Sequence, residues 1–157
     1  MDFELFLGMN ISCESLAEAL EKVIAGDLYE KVKVVNNAEE IVIGTECFSM
    51  AIEIEDISDI AFVRSHYELD VNVCIRIQLF GNNHSQGLES LFSIMGAIMK
   101  KFEGNLLLLE NGSKQLLRKE DGQLIVNNDL DQYQVKYLTA SLLSLLNHSY
   151  NYKILIN

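Results

Sequence analysis

The sequence predicts an α+β fold: an antiparallel sheet of about six to eight strands with three helices packed mainly on one face. Three observations carry that expectation. Two stretches, 48–55 and 71–79, alternate apolar and polar residues as half-buried strands do. Two others, 16–24 and 88–102, place apolar residues at helical spacing. Asn111-Gly112 and Asp121-Gly122 favour the positive φ angles of tight hairpins.

Each element follows in order. Phe3, Leu5 and Leu7 share one side of an opening strand over 2–8. Ser12 then caps a helix by accepting a free backbone N–H of its first turn. Leu16, Leu20, Val23 and Ile24 form its buried stripe, Glu18 and Lys22 pair one turn apart, and Gly26 offers a left-handed stop. From 31 to 80 the pattern is β. Val32 and Val34, then Ile41 and Ile43, mark two short strands. In the next strand Phe48, Met50, Ile52 and Ile54 alternate with Ser49, Ala51, Glu53 and Glu55. Val71, Val73, Ile75, Ile77 and Leu79 give the cleanest alternation in the chain. A dry face opposite a wet one suits antiparallel pairing.

A second helix spans 85–102, with Leu88, Leu91, Phe92, Met95, Ile98, Met99 and Phe102 on one stripe. Glu89 in the first turn and Lys100 and Lys101 in the last match the helix dipole, and Gly104 ends it. A meander follows: strands 105–110, 114–119 and 123–127, joined by the two glycine turns. A third helix over 131–147 carries Val135, Leu138, Leu142, Leu145 and Leu146, and 152–156 forms a last short strand. The pairs Asn36-Asn37, Asn82-Asn83 and Asn127-Asn128 read as turn or loop positions.

The 157 residues read as a single domain, 1–157, with no proline and no linker composition. Twelve basic residues against 23 acidic ones give a net charge of −11. A nucleic-acid binder needs a basic face, and an anionic membrane surface repels this charge, so neither is an expected partner. A charged partner of this chain is basic. The opening Met1-Asp2-Phe3-Glu4 lacks a basic leader, and no apolar run approaches a membrane span. The three cysteines, Cys13, Cys47 and Cys74, are odd in number and widely spaced, which suits a reducing cytoplasm.

Catalytic chemistry finds little support. His66, His84 and His148 form no close ligand pair with each other or with cysteine, so neither a metal nor a cofactor is expected. No nucleophile elbow or phosphate loop occurs. Two regions keep an enzyme reading open. The loop Gly81 to Gly87 precedes a helix start, where backbone N–H groups can meet an anion. Glu53 and Glu55 share a strand face about 6.6 Å apart, a spacing that overlaps glycosidase pairs, but no aromatic platform adjoins them. The bland reading of that pair is a solvated strand face.

The acids serve better as a docking rim. Glu53, Glu55, Asp56 and Asp59 crowd together, and Glu68 and Asp70 follow. If the strands ending at 55 and starting near 70 are neighbours, these side chains converge. A negative rim steers a basic partner and speeds association. Tyr67 and Phe80, at strand ends, are candidate aromatic anchors.

The second helix and meander also resemble a known family. The run Leu91-Phe92-Ser93-Ile94-Met95 through Lys101-Phe102-Glu103-Gly104, then Leu106 to Leu109, Glu110-Asn111-Gly112, Leu116-Leu117-Arg118 and Asp121 to Asn127, resembles the Sit-type bacterial immunity proteins. The opening strand and Ser-capped helix, Asp2 to Val23, are similar too, so about half the chain is covered. Asn105 and Ser113 depart from the family's usual Asp and Glu. The resemblance implies a non-catalytic protein that neutralises a cognate toxin delivered between sibling cells, with Asn111, Gly112 and Arg118 specifying the fold. The alternative is an acidic bacterial secretion chaperone, a class that is usually dimeric; an apolar face left exposed on 88–102 would mark it. Oligomeric state is not legible from one chain.

Overall fold

The computed structural model describes residues 2–28 and 30–156. Among them the strands are β1 (Asp2–Leu7), β2 (Lys33–Asn36), β3 (Glu40–Gly44), β4 (Phe48–Glu53), β5 (Val73–Leu79), β6 (Leu106–Glu110), β7 (Lys114–Glu120), β8 (Gln123–Asn127) and β9 (Tyr150–Lys153). The α-helices are α1 (Cys13–Lys22), α2 (Ile60–Tyr67), α3 (His84–Lys101) and α4 (Ala140–Ser144). All nine strands join one sheet in the order β2-β3-β4-β5-β1-β6-β7-β8-β9. The α+β class is as the sequence predicts; the sheet is one strand larger and there is one helix more.

β1 sits at the centre, antiparallel to both β5 and β6. Its alternation puts Phe3, Leu5 and Leu7 on one face and Phe6 on the other, and all four are buried. The first face carries the main core. There Leu16, Leu20, Leu91, Phe92, Met95, Leu142 and Leu146 of the helical layer meet Ile43, Met50, Ile75, Ile77 and Leu108 of the sheet. The opposite face is dry only at one end, where α2 lays Val63 and Tyr67 over Phe6, Cys74, Leu107 and Leu109. The rest of that face is open and polar. No helix among the described residues is long and apolar enough to cross a membrane.

The hairpins form as their dipeptides require. Asn111 and Gly112 take φ of 49° and 74°, and Asp121 and Gly122 take 50° and 79°. Gly104 closes α3 at φ 136°, and a Cβ there would collide with the Gly8 carbonyl, so only glycine lets these two segments cross.

Four expectations need correction. Gly26 is not a left-handed stop. The first helix widens into a π turn, Val23–Asp27, in which Leu28 N–H donates to the Val23 carbonyl at 3.1 Å. The region 31–80 is not β throughout, because Asp59 caps the helix α2 between β4 and β5. The third helix is not continuous over 131–147. A 3₁₀ turn, Val135–Leu138, stops at Thr139 (φ −67°, ψ 155°), whose hydroxyl accepts from Leu142 N–H and starts α4 afresh. The last strand is 150–153, and it runs parallel to β8. The chain reaches it through the helical layer rather than a hairpin, and such a crossover permits a parallel return.

Candidate functional site

β4 and β5 are neighbours, with Ile52 opposite Ile75, so the acidic segment 53–70 bridges two adjacent strand ends as the rim reading requires. Its acids do not gather at one place. α2 separates them by its own length, about 12 Å at the helical rise of 1.5 Å per residue. Glu55, Asp56 and Asp59 stand at its N-terminal end; Glu68 and Asp70 stand beyond its C-terminal end.

The N-terminal group forms a braced corner. β4 stops where Ile54 and Glu55 both donate their backbone N–H to the Glu39 carbonyl, each at 2.9 Å. That double contact breaks the alternation. Ile52 and Glu53 are both buried, on opposite faces, and Ile54 turns outward at 45% exposure. The expected order, with Ile54 inside and Glu53 in solvent, is reversed.

Glu53 is therefore a brace and not a surface charge. Its side chain is 1% exposed and lies 3.2 Å from Nε of Arg76. That nitrogen is off the hydrogen-bond axis, so the contact is ionic. The remaining lone pairs accept from Ser58, its hydroxyl at 2.6 Å and its N–H at 3.2 Å. Arg76 also donates to Glu40 at 2.6 Å. With Glu53 bound in this way and Glu55 beyond the strand end, the two do not form a paired acid and base.

Next to the brace, Asp56 accepts from Ile60 N–H at 3.0 Å. Asp59, held at φ 53°, accepts from Phe62 N–H at 3.2 Å. Both carboxylates thus cover the positive end of the helix dipole. Helical spacing sends Val63 and Tyr67 inward and leaves Phe62 outside at 58% exposure, stacked on His66 with ring centroids 5.2 Å apart. Ile57 is 53% exposed. Over residues 54–62, three apolar side chains and three exposed carboxylates, two of them bound to the helix N-terminus, share one ordered segment.

Tyr67 and Phe80 do not lie among the exposed side chains of this corner. Tyr67 lies on the inner face of α2, and its hydroxyl donates to the Ser113 carbonyl at 3.4 Å. Burial, then Glu4, pushes its pKa up. Phe80 follows the far end of β5, where Leu79 meets the start of β4, so the length of the strand separates it from the corner. Ile57 and Phe62 escaped the sequence reading, and its alternation assigns Ile54 to the inward side of the strand. The one signal was large apolar residues isolated among acids after the alternation fails.

The C-terminal end of α2 is structural. Arg118 donates to the carbonyls of Tyr67 and Glu68 at 2.6 and 3.1 Å, which ties the helix end to β7. Glu68 caps it at φ 50°, and Asp70 pairs with Arg64 at 3.2 Å in solvent.

Protein-family models, curated proteins and solved structures were compared with this chain, and none matches.

Two of the larger surface concavities hold charged side chains. One, of about 690 Å³, lies on the open sheet face between Glu4, Glu40, Ser49, Arg76 and Gln78. The other, of about 640 Å³, runs between α3 and the start of α4 and holds Glu30, Ser90 and Lys136. Neither contains a cysteine. Burial is the leading cause that pushes the thiols of Cys13, Cys47 and Cys74 up, away from the reactive thiolate. The loop Gly81 to Gly87 holds a 3₁₀ turn, Gly81–Asn83, and no side chain caps the α3 start. Burial and the nearby Lys136 lower the His84 pKa. Among the described residues no group of three His, Cys, Asp or Glu side chains is placed to hold a metal.

Proposed function

We propose that this chain is an immunity protein that covers a basic protein toxin with the β4–α2 corner and turns over no substrate. One observation carries the reading: Ile54, Ile57 and Phe62 are exposed beside Glu55, Asp56 and Asp59 on a segment held by hydrogen bonds. Apolar anchors ringed by charge are the anatomy of a binding hot spot, and a preformed segment costs little to order on docking. The carboxylates would speed encounter with a cationic surface, and the anchors would slow release.

The chaperone alternative asks for an apolar face left open on the long helix. Leu88, Leu91, Phe92, Met95, Ile98 and Met99 are instead buried against this chain's own sheet. That favours the immunity reading.

The test is co-expression in bacteria with the product of the adjacent gene. Rescue from its toxicity is expected. Joint replacement Ile57→Ala and Phe62→Ala should then weaken the purified complex by about 10- to 100-fold, mainly through faster dissociation. Reversal of Glu55 to Lys, which leaves the Asp56 and Asp59 caps of α2 in place, should slow association most at low salt. A harmless neighbour that needs this chain for its export would replace the reading with the chaperone one.

A further inference from the structure

The edge strand β9 carries an inference that does not depend on the corner. Residues 147–156 contain no Asp or Glu, in a chain with 23 of them. Within this acid-free stretch Tyr152, Ile154 and Ile156 are 54%, 63% and 83% exposed. Edge strands are usually blunted against further pairing; β9 is short and carries one charge, Lys153, but no proline and no carboxylate, and the exposed apolar run continues past it to Ile156.

The hydrogen bonds fix which backbone groups remain to be paired. The Lys153 carbonyl accepts from Asn128, and Leu155 N–H donates to the Asn127 side chain, so both point toward β8. Successive residues of a strand point their N–H and C=O groups to opposite sides, so Tyr150, Tyr152 and Ile154 turn theirs outward.

We infer that this edge pairs antiparallel with the β9 of a second copy, about a two-fold axis at Tyr152. Tyr152 then faces Tyr152 of the other copy, and Tyr150 faces Ile154 in both directions. All three pairs fall at outward-pointing positions, so each can exchange two backbone hydrogen bonds, about six in total. The same register sets Lys153 against Asn151 rather than against its own copy. Two molecules of net charge −11 repel over most of their surfaces, and they approach at least cost where carboxylates are absent. The corner lies six strand positions away, about 29 Å at 4.8 Å per strand, and stays free.

The full chain should sediment as a dimer of twice 17.8 kDa, with half-dissociation at about 10–100 μM because the contact is small. Tyr152→Pro removes an outward N–H and the ring that packs on Tyr150, but no backbone hydrogen bond to β8, and should yield a monomer with unchanged far-UV circular dichroism. Tyr152→Lys and Tyr152→Glu should each be monomeric at low salt, and mixing them should restore a dimer, because the two-fold sets these positions opposite each other. A wild-type chain that is still monomeric at about 1 mM overturns the inference and leaves the edge to a strand from another protein. A dimer indifferent to all three substitutions, or a mixture that stays monomeric, overturns it as well. Rescue in the toxicity assay should be unaffected by Tyr152→Pro, so the two ideas fail separately.

Discussion

The β4–α2 corner and the β9 edge both expose apolar side chains, and each is held in place by one buried polar residue of a different kind. At the corner the brace is Glu53, a carboxylate shared between Arg76 and Ser58. At the edge it is Asn127, a neutral amide at 2% exposure. Its nitrogen donates to the carbonyls of Gln115 and Leu155 at 2.6 and 3.4 Å, and its oxygen accepts from Leu155 and Asp129 at 3.0 and 2.9 Å. A charge needs an opposite charge to be buried at tolerable cost, so the corner is tied across the sheet to β5. An amide can satisfy itself on backbone alone, so the edge is tied to the strands beside it. The corner is therefore sensitive to side-chain chemistry, and the edge to backbone pairing.

Removing the braces tests that contrast. Asn127→Leu should have the largest effect, about 3 kcal/mol, because it strands several buried backbone groups at once. Amide exchange should quicken at β9 and in 154–156 while α2 stays protected. Glu53→Ala should cost about 2 kcal/mol, somewhat less than a fully buried pair, because Arg76 is 41% exposed and recovers some water. Its exchange signature should be the reverse, with Ser58 and the start of α2 loosening. Equal loosening of both regions by either change would erase the distinction.

Within the corner, Asp59→Ala should cost about 1 kcal/mol in urea unfolding by removing the helix cap. Asp59→Gly should cost less, since φ of 53° suits glycine and strains alanine. An equal loss would mean that the cap acts only through its charge.

The smallest effect lies away from both surfaces. Tyr137 sits edge-on to Phe3 with centroids 5.5 Å apart, and its pKa is pushed up to about 12 by burial first and then by Glu110. The unfolded tyrosine titrates near about pH 10. The stabilisation is fully present below that pH and is lost as pH rises toward 12, because the unfolded chain gives up its proton first. Thermal melts at pH 9 and 11 should show a smaller alkaline loss for Tyr137→Phe than for wild type. The midpoint of the corner and that of the edge should fall together, as expected of one cooperative sheet.

Much of the fold was legible in the residues themselves. The two hairpins, the long helix α3 and the central strand β1 follow from rules that act within a few positions: turn dipeptides, helical spacing, alternation. The acidic character of the candidate site was legible too, through Glu55, Asp56 and Asp59. What the sequence left undecided depends on what a residue meets from far along the chain. Glu53 reads as a solvated carboxylate until β5 brings Arg76 beside it. Asn127 reads as a turn residue until the C-terminal segment returns along β8. The helical pattern over 131–147 does not reveal that the chain restarts at Thr139, and eight residues of α2 are too few to announce a helix before a second sheet face offers them Phe6, Leu107 and Leu109 to cover. Periodicity is set by local geometry and can be read from one strand of text. Burial is set by which distant segments arrive, and only the assembled sheet decides which polar groups go inside and which apolar ones stay out.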